Sequence, residues 1–182
     1  MTKLKRNAAA GLFTRPSNFR RFPIHTKPEE ASLDREKLKE VFHRLSHPFP
    51  ALLIDRIFET ESGKRIRTVK GVTANEFFLS GHFPGEPIMP GVMTLEGMIQ
   101  SALLLMDELY SRGKVAGSLE RVDRLKFKRP VVPGDQVEFQ VQLLSQENHL
   151  YKFKGKALVE GATAAEADFT LKASIREVGF EI

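Results

Sequence analysis

"VMTLEGMIQSALLLMDEL", residues 92–109, is the stretch whose reading decides the fold. It predicts a helix of about five turns. Val92, Met93, Leu95, Met98, Ile99, Ala102, Leu103, Leu104, Leu105, Met106 and Leu109 make it apolar nearly all round. A helix without a polar face must be buried on most sides. A bilayer is not what buries it. The best uninterrupted part, Val92 to Met106, includes Glu96, Gln100 and Ser101, and falls short of the roughly 18 apolar residues a span needs. A soluble protein is expected.

Downstream of this helix the hydrophobic period changes from helical to alternating. "DRLKFKRPV", "DQVEFQVQLLSQ", "LYKFKGKALVEG" and "AAEADFTLKASIRE" read as strands, with Pro133-Gly134 and Gly161 as turns. Val137, Phe139, Val141 and Leu143 lie on one face, as do Tyr151, Phe153, Ala157 and Val159, and Ala167, Phe169, Leu171 and Ala173.

Upstream, "SLDREKLKEVFHRL" has Leu33, Leu38, Val41, Phe42 and Leu45 on one helical stripe, capped by Ser32 and ended by Pro48. "ALLIDRIFET" reads as a largely buried strand, Ser62-Gly63 as a hairpin turn, and "KRIRTVKGVT" as the returning strand. The expected order is helix, hairpin, buried helix, antiparallel meander. One long apolar helix with several half-buried strands implies an α+β fold, a sheet wrapped around that helix. An open two-layer sandwich would leave much of the helix wet.

The 182 residues suit one domain. Residues 1–30 form a basic extension, expected to be disordered, and 31–182 the folded domain. Residues 1–28 hold Lys3, Lys5, Arg6, Arg15, Arg20, Arg21 and Lys27 without one acid. The remaining chain has 23 acids and 21 bases, so the overall +5 belongs to the extension and the domain is not a basic nucleic-acid binder. An acid-free, arginine-bearing N-terminus also fits an organelle transit peptide, giving an organelle matrix as the alternative to a cytoplasmic location. Cysteine is absent, which excludes disulfides, thiolate metal sites and a cysteine nucleophile.

Chemistry concentrates just before and inside the apolar helix. "GHFPGEPIMPG", residues 81–91, sets three prolines and three glycines around His82, which holds the loop rather than leaving it mobile. Pro90-Gly91 abuts the helix start, where unpartnered N–H groups and the dipole favour a developing oxyanion, most directly at the Gly91 N–H. Glu96 is the only ionisable residue between Val92 and Met106, with Gln100 on the same face. Burial is expected to raise its pKa toward the range of a proton donor. A histidine titrates near neutrality, so His82 and Glu96 form a candidate base and acid. Against this stand two plainer readings, a structural turn histidine and a glutamate on a wet face. Met89, Met93, Met98 and Met106 read as core filler. His43 and His47 stand four apart like a metal pair, but Ser46 and Pro48 oppose a helix through both, so no metal is expected. Unaided, the residues reach a buried acid–base pair and do not name a reaction.

"HPFPALLIDR" (47–56), "GHFPGEPIMPGV" (81–92), "LEGMIQ" (95–100) and "DRLKFKRPVVPGD" (123–135) resemble the bacterial and plastid 3-hydroxyacyl-[acyl-carrier-protein] dehydratases of type II fatty-acid synthesis, in order over about residues 34–176. The resemblance implies a hotdog fold and a cofactor-free hydro-lyase. His82 would remove the α-proton of a (3R)-3-hydroxyacyl thioester. Glu96, from the other subunit of a dimer, would protonate or orient the departing hydroxyl, and Gly91 would hold the thioester oxygen. The related dehydratase–isomerases typically carry aspartate where Glu96 stands, which favours the plain dehydratase. Gly97 departs from the family's usual alanine and implies either a larger acyl tunnel or a looser helix. The implied partners are an acidic carrier protein, for which Arg121, Arg124, Lys126, Lys128 and Arg129 are a candidate docking patch, and further copies of the chain as a dimer or a trimer of dimers. The competing readings are a hotdog acyl thioesterase and a non-catalytic acyl-binding protein.

Overall fold

The computed structural model of the chain describes residues 39, 41–45, 47, 50–110 and 115–175. The expected basic extension and most of the helix from Ser32 lie outside the described residues. Residues 41–44 are helical, with Val41 and Leu45 buried, as the stripe requires.

Six antiparallel strands form one sheet: β1 (Arg56–Glu61), β2 (Arg65–Gly71), β3 (Val115–Phe127), β4 (Gln136–Glu147), β5 (Leu150–Val159) and β6 (Ala162–Ile175). The one long helix among the described residues, α1 (Gly91–Asp107), packs on the sheet's inner face and continues as a short 3-10 turn, Glu108–Tyr110. This is the hotdog arrangement. Alternation produces it: Tyr151, Phe153, Ala157 and Val159 of β5 turn inward while Lys152, Lys154 and Lys156 stay in water. Phe153 and Phe169 are cross-strand partners with ring centroids 5.7 Å apart. Each fully buried ring of this kind contributes about 1.5–3 kcal/mol through area removed from water. The β5–β6 turn runs through Glu160 and Gly161 at φ 53° and 79°, a left-handed pair that suits a two-residue hairpin.

Three expectations need correction. The strand order is β1-β2-β4-β5-β6-β3, so β4, β5 and β6 make a meander but β3 lies at the far edge beside β6 instead of next to β4. β3 also begins eight residues before Asp123, and its pairing slips between Leu119 and Arg121 and again between Val122 and Arg124. Finally, the buried part of "ALLIDRIFET" is Leu52, Leu53 and Ile54, which precede β1; the strand itself is a mostly exposed edge.

Beneath α1, Arg44 is buried and bonds Asp107 Oδ2 at 3.0 Å and the Leu104 carbonyl at 2.5 Å. This clamps the helical residues 41–44 to the C-terminal end of α1. The N-terminal end is left to face the loop that carries His82.

Candidate active site

The loop between β2 and α1 is fastened at both ends by backbone bonds. Val72 N–H donates to the Asp135 carbonyl at 2.9 Å, Gly134 N–H returns a bond to Val72, and Met89 N–H donates to Val131 at 2.8 Å. Near its start, the buried Lys70 ammonium lies 2.8 Å from Glu76 and 3.6 Å from Asp55. Inside the loop, Ile88 N–H donates to the His82 carbonyl at 2.9 Å, and His82 Nδ1 lies 2.8 Å from the Ile88 carbonyl. A carbonyl only accepts, so Nδ1 carries the hydrogen and Nε2 presents its lone pair. The Phe83 ring stacks on the imidazole at a centroid distance of 4.0 Å. His82 is thus held with one ring nitrogen committed and the other without a partner among the described residues.

That imidazole opens on a cleft of about 550 Å³ lined by Met89, Gly91, Thr94, Phe127, Lys128 and Arg129, among others. Gly91 is the first residue of α1, and no side chain caps the helix start. Its N–H has no partner among the described residues, and Gly91 lines the cleft together with His82. Glycine lets the Phe127 ring lie close here: a Cβ would come within 2.6 Å of it, and this partly exposed ring would have to shift.

Glu96 does not line this cleft. It lies about 140° around the helix from Gly91 and about 160° from Thr94. Its carboxylate accepts from Gln100 Nε2 at 2.9 Å and lies 3.4 Å from His47 Nε2. The dry setting expected for it is not found within one chain: the side chain is 33% exposed. The reason is its stripe, in which Val92 is exposed, Glu96 and Leu103 are half-exposed, and nothing among the described residues covers them fully. Gln100 is fully buried; its Oε1 accepts from Leu53 N–H at 2.8 Å, and its Nε2 donates to the Ala51 carbonyl as well as to Glu96. It therefore holds the Glu96 carboxylate and stands on Glu96's side of α1, away from Gly91, where the sequence suggested an oxyanion would be received.

Gly97 has a packing cause. The Phe139 ring, fully buried, occupies the place where a Cβ on Gly97 would sit. The missing methyl is filled by an aromatic from β4, a packing role beside the wider tunnel or the looser helix that the resemblance implies.

The five cations of the docking patch are spread over distinct surroundings. Arg124 and Lys126 sit opposite Asp168 and Glu166 on the sheet face away from α1, as cross-strand charge pairs. Arg121 pairs with Asp123 at 2.6 Å. Lys128 lies 2.8 Å from Glu166 and, chiefly through that hydrogen bond, holds the Glu166 carboxyl below its usual range. Arg129 is half-buried and reaches the Val159 carbonyl. Only Lys128 and Arg129 border the His82 cleft. His43 is exposed, and the helical residues end at Arg44, so the two histidines do not share a helix face. Sequence reasoning weighed His47 only as a metal ligand and missed its approach to Glu96; no spacing in the sequence marks a contact across 49 residues.

Residues 45–168 match the model of the FabA-like domain. The chain is 43% identical over 145 residues to the 3-hydroxyacyl-[acyl-carrier-protein] dehydratase FabZ of Erythrobacter litoralis, covering 78% of this chain and 93% of that protein. This chain belongs to the FabZ dehydratase family. A second member, from Aromatoleum aromaticum, is 44% identical over 136 residues, covering 73% of this chain and 94% of that one. Among solved structures, the dehydratase heterocomplex ApeI:P from Xenorhabdus doucetiae superimposes with a TM-score of 0.64 at 18% identity, over 74% of this chain and 90% of that one. At that identity the likeness speaks for the fold alone. His82, Gly91 and Glu96 all fall inside the residues that match the FabA-like domain model. No helix among the described residues is long and apolar enough to cross a membrane.

Proposed function

We propose that the chain dehydrates (3R)-3-hydroxyacyl groups, carried as thioesters on an acyl-carrier protein, to trans-2-enoyl groups and water in fatty-acid biosynthesis. His82 Nε2 takes the α-proton, and the electrons of that C–H bond become the new double bond. The C–O bond to the 3-hydroxyl breaks as Glu96 gives the departing oxygen a proton. The Gly91 N–H holds the thioester oxygen while negative charge builds on it. The proton on His82 then returns to Glu96 through solvent, and both groups are reset.

The observation that carries this reading is the fixed tautomer of His82: Nδ1 tied to Ile88, Nε2 free, and an unpartnered N–H beside it in one cleft. The names of the relatives supply the substrate class. Because Glu96 is turned away from that cleft, each site takes its acid from a second copy. The dimer is supported by the 13-residue edge of β3, unpaired on its outer side, and by the exposed stripe around Glu96. Lys128 and Arg129 at the cleft mouth are the best-placed cations to meet an acidic carrier protein. The relatives are bacterial, and the cytoplasm is the location this reading favours; N-terminal sequencing of the mature chain tests the organelle alternative.

Incubation of the full chain with a 3-hydroxyacyl thioester is the test. Enoyl thioester is expected. Release of free thiol instead would make the protein a thioesterase, and binding without either product would make it a non-catalytic acyl-binding protein.

A further inference from the structure

Two nitrogen groups converge on one oxygen of Glu96. Gln100 Nε2 is 2.9 Å from Oε1, and His47 Nε2 is 3.4 Å from the same atom. The Gln100 amide is not free to turn over, since its own oxygen accepts from Leu53 N–H. Nε2 therefore carries hydrogens toward Glu96. Among the described residues nothing bonds to Oε2.

The second observation is the other side of the His47 ring. Nδ1 is buried and has no hydrogen-bond partner among the described residues. A buried N–H without an acceptor is rare and costly, while a spare lone pair is tolerated better. A hydrogen on Nδ1 would be orphaned there, whether the ring were neutral or charged. The hydrogen therefore belongs on Nε2, facing Oε1. A separation of 3.4 Å is long for such a bond, and contacts of this kind tighten when a site fills.

We propose that His47 is a positioning residue for Glu96: with Gln100 it fixes Oε1 as the acceptor oxygen and leaves Oε2 to carry and deliver the proton. The proposal rests on the dehydratase reading given above. A carboxylic acid has one hydroxyl and one carbonyl oxygen. Two N–H groups on Oε1 compel the acid's hydrogen onto Oε2. When Oε2 passes it to the departing hydroxyl, the charge left on the carboxylate is held by the same two N–H groups, now as stronger charge-assisted bonds. His47 thus acts on the product side of proton transfer and touches no substrate.

The test uses the full chain, with His47→Gln, which keeps an N–H near the position of Nε2, and His47→Phe, which removes it. In His47→Phe, kcat is expected to fall about ten- to hundredfold, the weight of a hydrogen bond to a charged group, with KM within about twofold of wild type. His47→Gln is expected to recover most of kcat. Equal losses in both variants, a change in KM alone, or no change would overturn the proposal. A second readout needs no turnover: nitrogen-15 NMR of the imidazoles in the wild-type protein is expected to find the His47 hydrogen on Nε2, with a shift on Glu96→Ala. A hydrogen on Nδ1, or no response to that substitution, would overturn the proposal even if His47→Phe fails to fold. Absence of dehydration by the wild-type chain would instead refute the dehydratase reading, and the NMR result would still decide the contact.

Discussion

The Phe139 ring of β4 fills the space that a methyl group on Gly97 of α1 would occupy. Alanine at 97 would gain about 1 kcal/mol in helix propensity. Forcing a methyl into a fully buried ring costs typically 1–3 kcal/mol, so the packing effect wins. Gly97→Ala is expected to lower stability by up to about 2 kcal/mol in urea titration. Combined with Phe139→Leu, the two changes should cost less together than their sum. An additive pair would mean that the ring and the glycine do not compete for one space.

The separation of Glu96 from the His82 cleft within one chain gives a complementation test. His82→Ala and Glu96→Gln are each expected to reduce turnover by about 10²–10⁴-fold, the usual weight of a general acid or base, with circular dichroism unchanged. When the two inactive proteins are unfolded together and refolded, half the dimers are mixed, and one site in each mixed dimer is intact. About a quarter of wild-type activity should return. No recovery would place both groups in the same subunit's site and sink the shared arrangement.

For the carrier protein, the two groups of cations should separate. Lys128→Glu with Arg129→Glu is expected to raise KM for carrier-bound substrate, most strongly at low salt, and to spare a small-thiol analogue. Arg124→Glu with Lys126→Glu should do less, because those side chains do not border the His82 cleft. A small-thiol substrate affected as much as the carrier-bound one would remove the docking role.

Tyr151 supplies the pH prediction. Burial, then its hydrogen bond and its electrostatic interaction with Tyr110, push its hydroxyl above the usual phenol range. The folded form therefore resists ionisation that the unfolded chain accepts near pH 10. The stabilisation is whole below that pH and is lost as pH rises toward the folded value. Tyr151→Phe is expected to flatten the decline of stability above about pH 10, read by thermal melts across alkaline buffers. An unchanged slope would assign the decline to other groups.

Most of this architecture was legible because alternation and helical period are local signals. Tyr151, Phe153, Ala157 and Val159 declare β5, and Val92 to Leu109 declares α1. The place of β3 was not legible: which edge a strand joins depends on partners far along the chain, and its two slips in register break the alternation that would mark its start. His82, Gly91 and Gln100 stood out through their company of glycine, proline and apolar residues. The surroundings of Glu96 were misjudged for a physical reason. A stripe without charges reads as buried in its own chain, and the sequence does not distinguish that from a stripe awaiting a second copy. His47 was invisible as a neighbour of Glu96 because only the tertiary fold brings the two together.

The backbone ties from Val72 and Met89 to residues 131–135 have a kinetic consequence. A swing of the whole segment as a flap would have to break those bonds first, so its two ends act as rivets and not as hinges.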